Sequence, residues 1–480
     1  MKRIILPVLL AGALAASTGC AHKSGNAAVA DIATPDTSTV VHPEWARNAV
    51  IYEVNIRQYT PEGTFAAFQN HIPRLRELGV DILWLMPVHP ISQVNRKGTL
   101  GSYYAVADYK AVNPEFGTLD DFRALVGAVH EAGMKIILDW VPNHTGCDNA
   151  WVSEHPERYA RNDEGAMFGP YDWTDVYKLD YSKADTREAM IDALSFWLTD
   201  AGIDGYRCDV ASEVPTSFWD EARPRLQAAA GRPIFMLAES SAPDLLLHAF
   251  DMDYNWPMKD LFSEIAATAG QYSFLAPGQE SPREFKSRHA ADIDSLLEYQ
   301  CHVYPVGGIM MNMTSNHDLN SWEGTEFRRL GNLAPAFAVL SYTLPGMPLI
   351  YTGQETGMDR ALEFFEKDSA PVWEPRNEYF DFYRRLNALK HSRAELAAGM
   401  KKINYRTYST GSENLLLFTR SLGDAATIVG MNLGASEETL HTTADDAPAL
   451  TGAVDYATGE AVDALPSTLA PGQYFIYTVN

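Results

Sequence analysis

Four acids close apolar runs in this chain: Asp139 after residues 135–138, Asp209 after 203–208, Glu239 after 234–238, and Asp318 at the end of 309–318. Carboxylates gathered in a sheltered pocket move one another's pKa values apart, which is what a nucleophile and a proton donor require. The same residue types also make ion pairs and helix caps, but four at equivalent ends favour chemistry. Asp209 follows Arg207 by two residues, so on a strand both project from one face. A cation alongside favours the ionised form and makes Asp209 the nucleophile candidate. Glu239 ends an apolar run with no cation near it in sequence, which assigns it the general acid. His144 and His317 stand beside Asn143 and Asp318, where ligand binding is the better reading of a histidine.

The runs 50–56, 80–86, 135–139, 203–209, 234–239, 309–318 and 347–351 read as strands buried on both faces. Helical patterns separate them. Thr64 caps one that carries Phe65, Phe68, Ile72, Leu75 and Leu78 and closes at Gly79, and Thr118 opens another that stops at Gly133. Asp185 with Glu188 has capping-box spacing before a third. Strand–helix alternation over about 340 residues predicts an α/β fold, a closed (β/α)8 TIM barrel rather than an open doubly wound sheet. No Gly-rich phosphate turn follows 50–56. In such a barrel all strand carboxyl ends share one mouth, so acids far apart in sequence converge. The irregular stretch 143–182 predicts a folded excursion over that face. Trp140, Trp151, Tyr171, Trp173 and Trp256 are aromatic candidates for stacking on a ligand near that mouth. Beyond about Ala394, β-branched and aromatic runs between turns predict a small antiparallel β domain.

The chain has 480 residues, 46% hydrophobic and 21% charged, which excludes wholesale disorder. Its 62 acidic and 38 basic residues give a net charge of −24, which repels phosphate backbones and excludes nucleic acid as a partner. Four scattered cysteines offer no zinc spacing. Lys2 and Arg3, the apolar run 4–16 and small residues up to Cys20 form a secretory signal. Gly19-Cys20 before a polar, alanine-rich stretch resembles a bacterial lipoprotein start, although Ser17 departs from the usual leucine; plain secretion is the other reading. The expected layout is a signal in 1–20, a tether in 21–44, a barrel in 45–393 with 143–182 inserted, and a β domain in 394–480. The protein is expected to be exported, in the periplasm or as an outer-membrane or cell-surface lipoprotein. Its only membrane contact would be lipid on Cys20.

Four segments carry a family resemblance: Asp139-Trp140-Val141-Pro142-Asn143-His144, Gly205-Tyr206-Arg207-Cys208-Asp209-Val210-Ala211, Ala238-Glu239 and Asn316-His317-Asp318. In order and together they resemble the α-amylase superfamily, glycoside hydrolase family thirteen. The stretch from Gly101 to Thr118 also resembles that family after its second strand. The resemblance implies an inserted B domain after strand three and a C-terminal β-sandwich. It implies Asp209 as nucleophile, Glu239 as acid/base and Asp318 as the third carboxylate. Arg207, His144, His317 and Asp139 would line the same sugar subsite, and Tyr104 would be the platform beneath it. The substrate would be an α-glucan oligosaccharide cleaved with retention.

Two departures qualify the resemblance. Ser212-Glu213 stand where many starch-degrading members carry Lys-His, so leaving-side recognition differs. Lys178 stands where many relatives have a calcium-binding aspartate, and an ammonium opposes a divalent cation. Asn143 matches the calcium-binding asparagine, yet no metal or other cofactor is expected to be required. Two alternatives use the same chain: a transglycosylase or exo-acting α-glucosidase, and a non-catalytic glucan-binding lipoprotein.

Overall fold

The computed structural model describes residues 36–399 and 404–480. The expected signal, Cys20 and most of the tether lie outside them. Among the described residues no helix is long and apolar enough to cross a membrane.

Eight parallel strands close into a barrel in sequential order. They are β1 (Ile51–Val54), β2 (Ile82–Leu85), β3 (Lys135–Trp140), β4 (Gly205–Cys208), β5 (Phe235–Ala238), β6 (Met252–Tyr254), β7 (Ile309–Asn312) and β8 (Met347–Tyr351). The two-residue period of a strand divides each run between two cores. Ile51, Ile82, Ile137, Leu237, Met311 and Leu349 fill the barrel, whereas Tyr52, Leu83, Leu138, Tyr206 and Met236 pack outward with the helices. Cys208 is on the outward face with Trp140 and Tyr206, as expected of its place between Arg207 and Asp209. The β4–β5 approach is close: a Cβ on Gly205 would lie 1.8 Å from the Phe235 carbonyl oxygen.

β6 went unread in the sequence because it is three residues long with an acid at its centre, too short and too polar for a buried run. The run 309–318 is strand only to Asn312; Thr314, Ser315 and Asn316 carry the chain out of the barrel before Asp318. The helix from Thr64 to Gly79 is two, Phe65–Gln69 and Ile72–Leu78, with Pro73 in the first turn of the second. Thr64 accepts from the Ala67 N–H, and Gly79 closes the second helix in the left-handed region. Thr118 makes a full capping box with Asp121 on Leu119–Glu131. The capping box expected at Asp185 and Glu188 is absent. Helix Ala184–Thr199 starts after Lys183, Asp185 binds Arg158 at 2.5 Å, and Glu188 pairs with Arg225 at 2.7 Å.

Residues 143–182 are folded, with strands His144–Gly146 and Val176–Lys178 paired antiparallel around helix Ala150–Glu154. Toward the C-terminus, Tyr405–Thr407, Leu415–Leu422, Ala425–Asn432, Tyr474–Val479 and Val454–Asp455 form one antiparallel sheet in that order, beside a two-stranded sheet of Glu438–Thr439 and Thr468–Leu469. Arg420 donates to the Thr343 carbonyl at 3.0 Å and Arg393 to that of Ala426 at 2.9 Å, tying the larger sheet to the barrel.

Candidate active site

The carboxyl ends of the strands bring together residues from the whole barrel. Asp139 and Arg207 are partners in the β3–β4 ladder. Both point inward: Asp139 follows inward-facing Ile137 at two-residue spacing, and Arg207 lies beside it across the ladder. Arg207 is fully buried and gathers three acids. Its Nη1 donates to Asp139 Oδ1 at 2.9 Å and to Asp209 Oδ1 at 3.2 Å, and its Nη2 lies 2.9 Å from Glu239 Oε2. Nε donates to the Tyr254 hydroxyl at 3.1 Å. One fixed guanidinium thus sets the positions of all three carboxylates.

Glu239 therefore has a cation beside it after all. It has none near it in sequence, but the apolar setting expected from that fails because β4 and β5 are neighbours, which places Arg207 next to it across the ladder. Glu239 Oε2 also accepts from the Val210 N–H at 2.8 Å. Val210 pays for that bond with backbone strain: φ is +38°, in the left-handed region that a β-branched residue avoids.

The protonation argument for Asp209 also changes. Burial comes first, and the charge of Glu239 second, in holding its carboxyl well above the ordinary range; Arg207 opposes both without prevailing. Asp139 has no exposed surface, and burial pushes it up to about 6. Its oxygens take Arg207, the Trp84 indole N–H at 3.1 Å and the Tyr104 hydroxyl at 3.0 Å. Expected at the sugar subsite, Asp139 instead supports Arg207 and Tyr104 from below.

Asp318 reaches the group from the loop after β7, not from a strand end. Its Oδ2 lies 3.3 Å from His317 Nε2, which also meets the Tyr104 hydroxyl at 2.8 Å. On the other side, His317 Nδ1 meets Glu53 Oε1 at 2.5 Å. Burial works against an imidazolium here, but Asp318 and Glu53 together outweigh it and raise His317 to about 9. Nδ1 therefore donates to Glu53. Among the described residues His144 has no anionic partner, and burial lowers it to about 3, so it is neutral; its ring lies edge-on to Trp173 at 5.2 Å. Tyr104 stacks on His317 at 5.5 Å.

Sequence reasoning passed over Glu53, Trp84 and Tyr254. Glu53 had a signal: an acid inside an apolar strand must find a partner once buried. Of the stacking candidates, Trp140 is core, packed on Tyr109 at 5.0 Å beneath the excursion, and Trp151 lies under Arg158 at 4.7 Å. Tyr171 is exposed and gives its hydroxyl to Glu213 at 2.7 Å, Trp173 adjoins it, and Trp256 packs on Tyr254 at 4.9 Å.

The two departures from the family pattern meet: Lys178 Nζ lies 3.3 Å from Glu213 Oε2. Lys178 is also the ladder partner of His144, next to Asn143. Among the described residues one group of His and acid side chains is close enough to hold a cation, His155 with Glu157 and Asp185. A cavity of about 490 Å³ lies between Trp151, Arg158 and helix Ala184–Thr199, and none of the mouth carboxylates lines it.

Residues 44–168 match the model of the alpha-amylase catalytic domain. The chain is 28% identical to neopullulanase 2 of Thermoactinomyces vulgaris over 83% of its own length and 71% of the relative's. It is 25% identical to alpha-amylase MalA of Haloarcula japonica, over 87% of this chain and 59% of that longer protein. The crystal structure of an alpha-amylase from Lactobacillus plantarum superposes with a TM-score of 0.76 at 29% identity, covering 91% of this chain and 100% of that one. On these matches the chain is similar to alpha-amylase catalytic domains over most of its length, and it is an enzyme of the glycosidase type.

Proposed function

We propose that the protein is a retaining glycoside hydrolase that cleaves α-glucosidic bonds, above all α-1,4 bonds, in maltooligosaccharides or starch fragments. One observation carries this: Asp209 and Glu239 share a single guanidinium. That favours the short carboxyl separation, about 5 to 5.5 Å, of a retaining mechanism over the wider inverting one.

In this mechanism Glu239 protonates the glycosidic oxygen as Asp209 attacks the anomeric carbon, and the leaving sugar departs with that proton. Glu239, now ionised, then takes a proton from water, which attacks the glycosyl–Asp209 ester and restores both acids with the anomeric configuration kept. The positive charge that develops at the anomeric carbon, together with Arg207, favours Asp209 in the ionised form that attacks. Asp318 and imidazolium His317 hold the ring's hydroxyls, and neutral His144 accepts or donates beside them. These steps call on no metal, in keeping with Lys178 as the ladder partner of His144. We further propose export, with Cys20 as the lipid attachment point.

The test is proton NMR of maltoheptaose hydrolysis before mutarotation. The α-anomer should appear first, and the products should be shorter than the substrate. An initial β-anomer ends the retaining reading; products longer than maltoheptaose would assign the same intermediate to transfer.

A further inference from the structure

The strand order places the loops after β7 and β8 across the barrel from those after β3 and β4. The β3–β4 side is polar: Tyr171 and Lys178 both engage Glu213, four residues past Asp209. The opposite side is aromatic. Trp322, in the short helix that follows Asp318, is 44% exposed. Its ring lies 5.3 Å from Phe364 and 5.7 Å from Phe365, both on the loop after β8. Phe364 in turn is nearly parallel to Tyr104, at 6.3 Å and 11°. A continuous apolar surface therefore runs from Tyr104 outward to an exposed indole.

This surface is held in place before any ligand arrives. Buried Gln58 donates from Nε2 to the carbonyls of Glu363 and Glu366, each at 2.7 Å, and Arg57 donates to that of Phe364 at 3.3 Å. Asn320 receives the Leu362 N–H at 2.8 Å and donates to the Arg360 carbonyl at 3.1 Å, locking the Trp322 helix to the same loop. An indole fixed in this way and left open to water is an anchor for something that covers it. The C–H face of a pyranose is the fitting chemistry, since it stacks on an aromatic plane while its hydroxyls stay in water.

We propose that Trp322, backed by Phe364 and Phe365, is the stacking subsite for a second glucosyl ring, next to the ring held at Asp209 and on the side opposite Glu213. This rests on the hydrolase function proposed above. It makes the enzyme select substrates with two or more glucosyl units ahead of the cleaved bond.

The test compares nitrophenyl α-maltoside with nitrophenyl α-glucoside in the full-length protein. Trp322→Ala should lower kcat/KM for the maltoside by about 10-fold or more, mostly through KM, and that for the glucoside by less than about 3-fold. Trp322→Phe should recover most of the loss. Equal losses on both substrates, or a gain on the maltoside, overturn the subsite and make Trp322 a structural residue or a barrier. If the unmodified protein cleaves neither compound, the hydrolase function fails separately. The subsite is then judged by calorimetry of maltotetraose on Glu239→Gln with and without Trp322→Ala, and an unchanged Kd overturns it.

Discussion

The two ends of the same barrel use the same residue types for opposite purposes. At the amino ends, Asp81, Asp204 and Asp251 immediately precede β2, β4 and β6. Each is matched by a backbone N–H group and by basic side chains. Asp81 takes the Val50 N–H at 2.9 Å and His391 at 2.7 Å; Asp204 takes the Ile136 N–H at 3.0 Å, His130 at 2.7 Å and Arg232 at 3.0 Å. Asp251 takes the Met236 N–H at 2.8 Å, Arg223 at 2.7 Å and His42 at 2.8 Å. At the carboxyl ends, Asp139, Asp209, Glu239, Asp318 and Glu53 draw, among the described residues, on only Arg207 and His317 as cations. The consequence is visible in the proton affinities. Burial raises both Asp204 and Asp209, but His130 and the Ile136 N–H bring Asp204 below the ordinary range, while Glu239 drives Asp209 further up. A surplus of buried acid over cation is tolerated only where chemistry requires it.

Substitution at either end should separate the two purposes. The largest effect is expected from Asp209→Asn, which should lower kcat on maltoheptaose by about 10⁴-fold or more. Its Tm should hold or rise, since a like-charge contact is relieved. A fall in Tm with activity retained would reverse the roles assigned to the two ends. Next is Asp251→Ala, which strands buried Arg223 and should cost about 3 to 5 kcal/mol in urea unfolding, with kcat per folded molecule unchanged. Loss of kcat without loss of stability would erase the contrast.

The smallest effect sharpens the picture within the mouth. Glu53→Gln removes one of the two anions that raise His317 to about 9, leaving Asp318 in favour of the imidazolium and Arg207 against it. The His317 pKa should fall, so the alkaline limb of kcat/KM should move to lower pH, with about a 10-fold loss near pH 8. Because the folded-state value lies above the ordinary 6.5, the Glu53–His317 contribution to stability is complete below about pH 6.5 and is lost as pH rises through about 9. Unfolding followed between those values should show that decline in the unmodified protein and a flatter profile in Glu53→Gln. Matching profiles would leave Glu53 without influence on His317.

The alternation of apolar runs and helices was enough to give the barrel, since parallel strands buried on both faces leave an unmistakable run of hydrophobic residues. It was not enough for β6, whose Met252-Asp253-Tyr254 contributes only two inward side chains. The excursion and the C-terminal sheet were legible from turn residues and β-branched content. In the mouth, Asp139, Arg207, Asp209 and Glu239 were found because they stand on or directly after strands, where a two-residue period fixes direction. Asp318 was placed correctly for the wrong reason, having been put at the end of a strand that stops six residues earlier.

The order of the elements, the inward direction of Arg207 and the identity of the acids are properties of the sequence, because they depend on contacts and periods local to the chain. The sharing of Arg207 between three carboxylates, the pairing of Glu53 with His317 and the aromatic surface from Tyr104 to Trp322 were decided by barrel closure. Closure sets residues hundreds of positions apart side by side, and a charge or a ring acquires its energy from neighbours in space.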